Sequence, residues 1–250
     1  MLLCLDYDGT LTPIEARPEI AVLDAATRHV VRELAALCPT AIVSGRDRLD
    51  IAARVAVSEA FYVGSHGFDV AGPAGSTLAL QIGEPYLPAL DAAEALLRER
   101  TAAVVGALVE RKRFSVATHY RLVARQLVPL VDAIVDGILE GFPDLRREPG
   151  KQVIEIQPNV AWDKGKAVLW MIDALRLEDA LPIHFGDDIT DETVFAVLAE
   201  RGAGVFVGEE DRTTAARFRL RNPDEVVTLL RRLVVLLRAG TTGQAGRTGG

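Results

Sequence analysis

"LCLDYDGTLTP", residues 3–13, decides how the rest of the chain is read. An apolar run ends on two aspartates one residue apart, Asp6 and Asp8, and the chain then turns through Gly9-Thr10. Leu2 to Leu5 is too short and too evenly apolar for an amphipathic helix, so it predicts a buried strand. Side chains at i and i+2 of an extended chain project to one side. The spacing therefore predicts that both carboxylates face a single point at the strand's end, with Tyr7 turned away.

Working outward, the same rhythm repeats. Ala25 to Leu37 carries apolar residues at helical spacing, and Ala41-Ile42-Val43 reads as a second buried strand ending at Ser44-Gly45-Arg46. A helix over Arg48 to Val57 precedes "AFYVGSHG", a third strand ending on Gly64-Ser65-His66-Gly67. Strand, polar loop and helix in alternation predict a parallel sheet with crossover helices. Near Gly72 the pattern changes to a hairpin, a long helix over Pro85 to Val105, and an antiparallel pair in "ALVERKRFSVATHYR". A helix over Gln126 to Leu139 and a second hairpin around the Pro-Gly of "LRREPGKQVIEIQP" follow. The first rhythm returns at Asp163, with a helix over Lys166 to Leu175 and the strand "LPIHFGDD". A helix over Glu192 to Glu200, a last strand "AGVFVG" and a helix over Pro223 to Arg238, capped by Asn222, complete it. The expected fold is α/β: a doubly wound parallel-sheet (Rossmann-like) core with an inserted α+β cap. Residues 1–84 and 161–238 form the core, 85–160 the cap, and 239–250, poor in apolar residues, a disordered tail.

Composition sets the outer bounds. At 250 residues, 49% hydrophobic and 25% charged, the chain suits one large or two modest globular domains. A net charge of −7 argues against nucleic acid or an anionic membrane as partner, while leaving room for a small phosphorylated substrate in a local cationic pocket. Cys4 and Cys38 stand in unrelated settings and read as buried reduced thiols. No basic, apolar leader and no run near 18 apolar residues occurs, so a cytoplasmic monomer is expected.

In an open parallel sheet, ligands gather at the carboxyl ends of the strands. Here those ends carry Asp6 and Asp8, Ser44, the Ser65-His66 pair, and Asp187 and Asp188, with Asp191 four residues after Asp187. Two unit charges 4 Å apart repel by about 4 kcal/mol at an effective dielectric near 20, so five carboxylates need cations among them. Oxygen-only ligands suit Mg²⁺ better than Zn²⁺, and Lys164 is placed to supply a second positive charge. A phosphate fits such a site. One member of the Asp6/Asp8 pair would attack phosphorus in line, and the other would handle the proton. Backbone N–H groups of the Gly9-Thr10 turn would face the phosphate.

Taken together, the motifs resemble those of haloacid-dehalogenase-type phosphatases. Asp6-Tyr7-Asp8-Gly9-Thr10-Leu11 is similar to that superfamily's first motif, Ser44 to the second, Lys164 in "WDKGKA" to the third and Gly186-Asp187-Asp188-Ile189-Thr190-Asp191 to the fourth. The resemblance implies Asp6 as nucleophile, Asp8 as general acid/base, and Ser44, Gly45 and Lys164 as the phosphate site. It implies Mg²⁺ on Asp6, the Asp8 carbonyl and Asp187, with Asp191 close by and Asp188 able to share the work. "LDYDGTLTPI", "VSGR", "GSHG", "HYR" and "GDDITDE" further resemble the trehalose-6-phosphate phosphatases. That likeness implies a sugar-phosphate substrate and maps the cap's glutamate, lysine, glutamate set to Glu110, Lys112 and Glu155. His119 and Arg121 stand in the same cap segment, and Arg46, His66 and Gly67 are further candidates for substrate contact.

Each residue also has a plainer reading. Asp-x-Asp ends many solvated turns, Lys164 could start a helix in water, and Glu110 and Lys112 could line an exposed strand face. Arg46 could form a surface ion pair and His66 a buried, satisfied one. The rival functions are a phosphatase acting on sucrose phosphate or mannosylphosphoglycerate, a phosphomutase, and a silent sugar-phosphate-binding module.

Overall fold

Every residue of β1 (Leu2–Leu5) is fully buried, because layers cover both of its faces. After it come α1 (Ala25–Leu37), β2 (Thr40–Val43), α2 (Arg48–Val55), β3 (Phe61–Gly64), β4 (Asp69–Ala71) and β5 (Ala79–Gln81). The chain then builds α3 (Leu87–Thr101), β6 (Leu108–Lys112), β7 (Ser115–His119), α4 (Val128–Leu139), β8 (Leu145–Gly150) and β9 (Val153–Pro158). It returns through α5 (Lys164–Ala174), β10 (Pro182–Gly186), α6 (Glu192–Leu198), β11 (Ala203–Val207), β12 (Phe218–Leu220) and α7 (Pro223–Ala245). The computed structural model describes residues 1–15, 20–150 and 152–245, in two units: residues 1–80 with 162 onward, and residues 81–161.

The first unit holds an eight-stranded sheet in the order β12-β11-β10-β1-β2-β3-β4-β5, parallel from β12 to β3 and antiparallel at β4. Leu3, Leu5, Ile42 and Phe185 face Val30 and Leu34 of α1, Ile51 of α2 and Leu230 of α7. Leu2, Cys4, Ala41 and Val43 face Val168 and Met171 of α5 and Val194 of α6. Burial on both faces is why these strands read as unbroken apolar runs instead of alternating. Both cysteines are free and buried, and burial pushes the Cys4 thiol up to about 12. Strand order runs one way from β1 to β2 and the other way from β1 to β10, so the topological switch lies beside β1. Leu5 pairs with Phe185, and the Asp6 amide donates to the Phe185 carbonyl at 2.9 Å. Asp6 and Asp187 therefore leave the sheet side by side.

In the second unit, a four-stranded antiparallel sheet, β6-β7-β9-β8, packs one face on α3 and α4. Val109, Val116, Ile154 and Ile156 meet Leu90, Leu97, Val131 and Val135 there. By the period of two, Glu110, Lys112, Ala117, His119 and Glu155 share the opposite face.

The structure departs from the sequence reading in four places. β12 is an additional edge strand beyond β11; its three residues include Arg219 and an exposed Phe218, too short and polar for an apolar pattern to show. Pairing of β8 with β9 runs through Pro149 and Gly150, so Pro-Gly belongs to the strand and not to the turn of the hairpin; Lys151 lies outside the described residues. Lys164 begins α5 instead of preceding it, because Asp163 accepts from the Lys166 amide at 2.9 Å and starts the helix two residues before the expected Lys166. Finally, α7 continues past Arg238 to Ala245, since each residue added to a formed helix gains a hydrogen bond; residues 246–250, the rest of the expected tail, lie outside the described residues. Among the described residues, no helix is long and apolar enough to cross a membrane.

Candidate active site

At the switch point, Lys164 reaches from the first turn of α5 into a group of carboxylates. Its ammonium, 3% exposed, donates to Asp6 Oδ1 and to Asp191 Oδ1, each at 2.9 Å. Asp191 sits in the short turn Ile189–Asp191 between β10 and α6 and is fully buried. Its Oδ1 also meets His184 Nε2 at 3.0 Å, and its Oδ2 accepts from the Asp188 amide at 3.1 Å. Asp187, the first residue after β10, completes the group: ligand oxygens of Asp6, Asp187 and Asp191 lie within 4.8 Å of one another. Gly9 makes this approach possible. It turns at φ +82°, and a Cβ there would lie 2.1 Å from Asp187 Oδ2.

Crowding sets the charge states. Burial, with Asp191 and Asp187 nearby, holds the Asp6 carboxyl well above the usual carboxylate range despite Lys164. Burial and the neighbouring Asp191 and Asp188 raise Asp187 to about 7. Burial also acts to raise Asp191, but Lys164 and His184 outweigh it and hold that carboxyl below its usual range. Burial would lower Lys164, yet Asp191 and Asp6 together raise it. Lys164 and Asp191 are thus held toward their charged forms, and Asp6 and Asp187 toward their neutral ones.

A divalent cation fits the residues present. Asp187 Oδ1 is buried with no hydrogen-bond partner, an acceptor left without a donor amid like charge. The donor set is all oxygen, which favours a hard ion such as Mg²⁺ over Zn²⁺.

The other candidate residues fall into three groups. Asp8 is not in the cluster: β1 ends at Leu5, so the i, i+2 rule fails past Asp6. Its half-exposed carboxylate is instead gripped by Arg46, Nε to Oδ2 and Nη2 to Oδ1, both at 2.6 Å. Asp188 likewise turns outward, exposed, capping the turn through the Ile189 amide at 2.7 Å. Buried Ser44 accepts from the Arg46 amide at 3.1 Å, while the Ser65 and His66 amides bond back to Arg46 and Ser44. Ser65 and His66 both hold left-handed backbone, φ +49° and +56°, conformations costly without glycine and concentrated at functional sites. The His66 ring closes over Gly45, where a Cβ would meet its Cε1 at 2.5 Å. Glycine at 67 answers to packing: its φ is +100°, a Cβ would press on the Asp163 carbonyl at 2.8 Å, and its own carbonyl accepts from Trp162 Nε1.

In the second unit, Glu110 meets His119 Nε2 at 2.7 Å, and the His119 hydrogen bond holds its carboxyl below the usual range. Lys112 is hydrogen-bonded to Glu155 on the same face. Arg121 lies past the end of β7, exposed, donating to Gln152 at 2.8 Å. His184 was missed by sequence reasoning; the available signal was one histidine in an otherwise apolar strand just before Gly-Asp-Asp. Arg212, whose Nη2 donates to the Asp188 carbonyl and to Glu192, each at 3.0 Å, gave no local signal.

Comparison with known proteins places this geometry. A family model described as trehalose-phosphatase matches residues 4–224. A rice protein (Oryza sativa subsp. japonica) named probable trehalose-phosphate phosphatase 3 is 38% identical over 262 residues, 97% of this chain and 72% of that one. The trehalose-phosphate phosphatase of Mycobacterium ulcerans is 41% identical over 236 residues, 91% of this chain and 60% of that one. The chain thus spans 60% to 72% of the length of these relatives. A crystal structure of a trehalose-6-phosphate phosphatase related protein superposes with a TM-score of 0.81 at 26% identity, covering 94% of this chain and 98% of that one. A haloacid dehalogenase-like hydrolase from Bacteroides thetaiotaomicron shares the fold, with a TM-score of 0.68 at 14% identity over 93% of this chain and 98% of that one. The chain belongs to the trehalose-phosphatase family, phosphoric monoester hydrolases on a haloacid-dehalogenase-like core.

Proposed function

We propose that this chain hydrolyses trehalose 6-phosphate to trehalose and phosphate through a phosphoryl group carried transiently on Asp6. The observation that carries this reading is the buried Lys164 bridge between Asp6 and Asp191 at the switch point, with Asp187 beside it. Asp6, using the oxygen that Lys164 leaves free, attacks phosphorus, and the bond from phosphorus to the sugar oxygen breaks. Asp8, which takes up a proton from water at the rim when the Arg46 fork opens, gives it to the leaving oxygen, then takes one from the water that attacks the acyl-phosphate, releasing phosphate and restoring Asp6. The Arg46 fork orients Asp8 between these transfers and opens for each. Ser44 and Lys164 hold the phosphoryl oxygens. Asp6, Asp187 and Asp191, with the Asp8 carbonyl, would hold Mg²⁺, which would supply neutralisation of charge on those oxygens.

The sugar reading rests on the inserted unit acting as a cap. Glu110, Lys112, His119 and Glu155 lie together on one sheet face, and their carboxylates suit sugar hydroxyls, each charge-assisted bond contributing about 1.5–3 kcal/mol. The test is phosphate release from trehalose 6-phosphate, sucrose 6-phosphate, mannosylphosphoglycerate and glucose 6-phosphate, with Mg²⁺ and with chelator. Strong Mg²⁺-dependent preference for the first is expected. Preference for another keeps the chemistry and overturns the substrate, and release unaffected by chelator removes the metal from the account.

A further inference from the structure

The segment between β11 and β12 is fastened to the acid-bearing turn by groups that the chemistry above does not use. Arg212 Nη2 donates to the Asp188 carbonyl and to Glu192 Oε1, each at 3.0 Å. The Ala215 amide takes the other Glu192 oxygen at 2.8 Å. The Arg212 guanidinium lies over the Phe206 ring, 4.5 Å from its centroid, and Arg219 lies 4.9 Å from the same ring. Phe206 belongs to β11 and is 1% exposed, so it gives both arginines a fixed platform. Arg219 in turn holds the segment through the Glu210 carbonyl at 2.6 Å. The Asp188 carbonyl that Arg212 grips is also the acceptor for the Asp191 amide, at 3.2 Å, in the bond that closes the turn. Asp187 precedes that carbonyl by one residue and Glu192 follows Asp191 directly, so Arg212 holds both ends of the segment that carries two of the three clustered carboxylates.

We propose that Arg212 is a positioning residue that fixes the spacing of Asp187 and Asp191 for the divalent cation. This rests on the reading of Asp6, Asp187 and Asp191 as cation ligands. Outer partners of metal ligands are commonly worth 10- to 100-fold in metal affinity. Charge and positioning predict opposite signs here. Removing a nearby cation would by Coulomb repulsion alone tighten binding of a dication, whereas loosening the turn would weaken it. The experiment is calorimetric titration of Mn²⁺ into the whole chain, comparing wild type, R212M and D187N, with circular dichroism to check the fold. We expect R212M to bind Mn²⁺ about tenfold more weakly with its spectrum unchanged. Equal or tighter binding by R212M, while D187N loses binding, overturns the role of Arg212 alone. Wild type that fails to bind, or D187N that binds as well as wild type, removes the cation reading and this inference with it. Should R212M not fold, R212K, which keeps the charge but not the planar group on Phe206, is read instead: weakening of about threefold or more supports the role, and parity with wild type overturns it.

Discussion

Lys164→Met is the substitution that most directly tests whether the cluster is built around charge. The variant keeps a long apolar stem and removes the one ammonium that Asp6 and Asp191 share, each at 2.9 Å. Breaking a buried pair by deleting one partner costs about 3–5 kcal/mol, a large fraction of an ordinary domain stability of roughly 5–15 kcal/mol. In wild type, Asp191 titrates below the usual range because Lys164 and His184 outweigh its burial. Without Lys164, burial dominates, and its folded pKa rises above the unfolded value of about 3.9. A group with a raised folded pKa contributes stability that is present at low pH and lost as pH rises through that folded pKa. The deficit of the variant should therefore shrink on acidification, by about 1.4 kcal/mol per pH unit for each extra proton held by the folded state. We expect a loss of about 4 kcal/mol at pH 7.5, falling to about 1–2 kcal/mol at pH 5.5. Urea unfolding in chelator across that range measures it. A loss that is the same at both pH values, or one below about 1 kcal/mol at pH 7.5, would refute the charge account.

Three further expectations follow from the same geometry. Asp6→Asn should lower phosphate release by at least about 10³-fold while leaving the unfolding midpoint in chelator equal or higher, since it removes a carboxyl buried among other carboxyls; near-wild-type turnover would exclude Asp6 as nucleophile. Because Asp187 titrates at about 7, Mg²⁺ binding at pH 7 should expel about half a proton from it and tighten as pH rises from 6 to 8. Calorimetry in two buffers of different ionisation enthalpy reads the protons released by Asp187 and Asp6 together, and cation binding with no proton release would count against it. Glu110→Ala should cut turnover of trehalose 6-phosphate by roughly 10²-fold but leave an aryl phosphate within about threefold, in line with the loss of one charge-assisted bond; equal losses on the two substrates would assign Glu110 a structural role.

Much of this molecule is legible in the sequence because a parallel sheet covered on both faces leaves an unambiguous trace. Leu2–Leu5, Thr40–Val43 and Pro182–Gly186 are largely apolar, with only Thr40 and His184 polar among them, and lead into polar residues, and that pattern sets strands, layers and rim. What the local pattern does not carry is the path of the chain once it leaves the sheet. Asp6 and Asp8 look equivalent one residue apart, yet only Asp6 is buried with Lys164, because the turn at Gly9 sends Asp8 toward Arg46. Asp187 and Asp188 differ for the same reason: one meets the cluster and the other caps the turn outside it. Arg46 and Asp8 are 38 residues apart in the chain and Arg212 and Asp188 are 24 apart, so no window of helical or strand length contains either pair. β12 escapes notice for a different cause, since an exposed edge strand of three residues needs no apolar face.

The charge count of the cluster ties fold to chemistry. Asp6, Asp187 and Asp191 against Lys164 leave an excess of two negative charges when all are ionised. A buried excess of that size is costly, which is why Asp6 and Asp187 titrate high in the absence of a cation. A phosphate ester brings a charge of about −1.5 to −2 of its own, so it would meet repulsion from the ionised cluster and no nucleophile from the protonated one. On the reading proposed above, Asp6, Asp187 and Asp191 would hold a dication whose charge would offset that excess and favour ionised Asp6, with Lys164 placed to meet the phosphoryl group. The Asp8–Arg46 pair, neutral as a unit and half-exposed at the rim, adds no net charge to that balance. On the same reading, the two aspartates of the opening motif part company for a reason: a nucleophile at Asp6 would need burial where charge can be controlled, and a proton carrier at Asp8 would need a place where it can exchange with water.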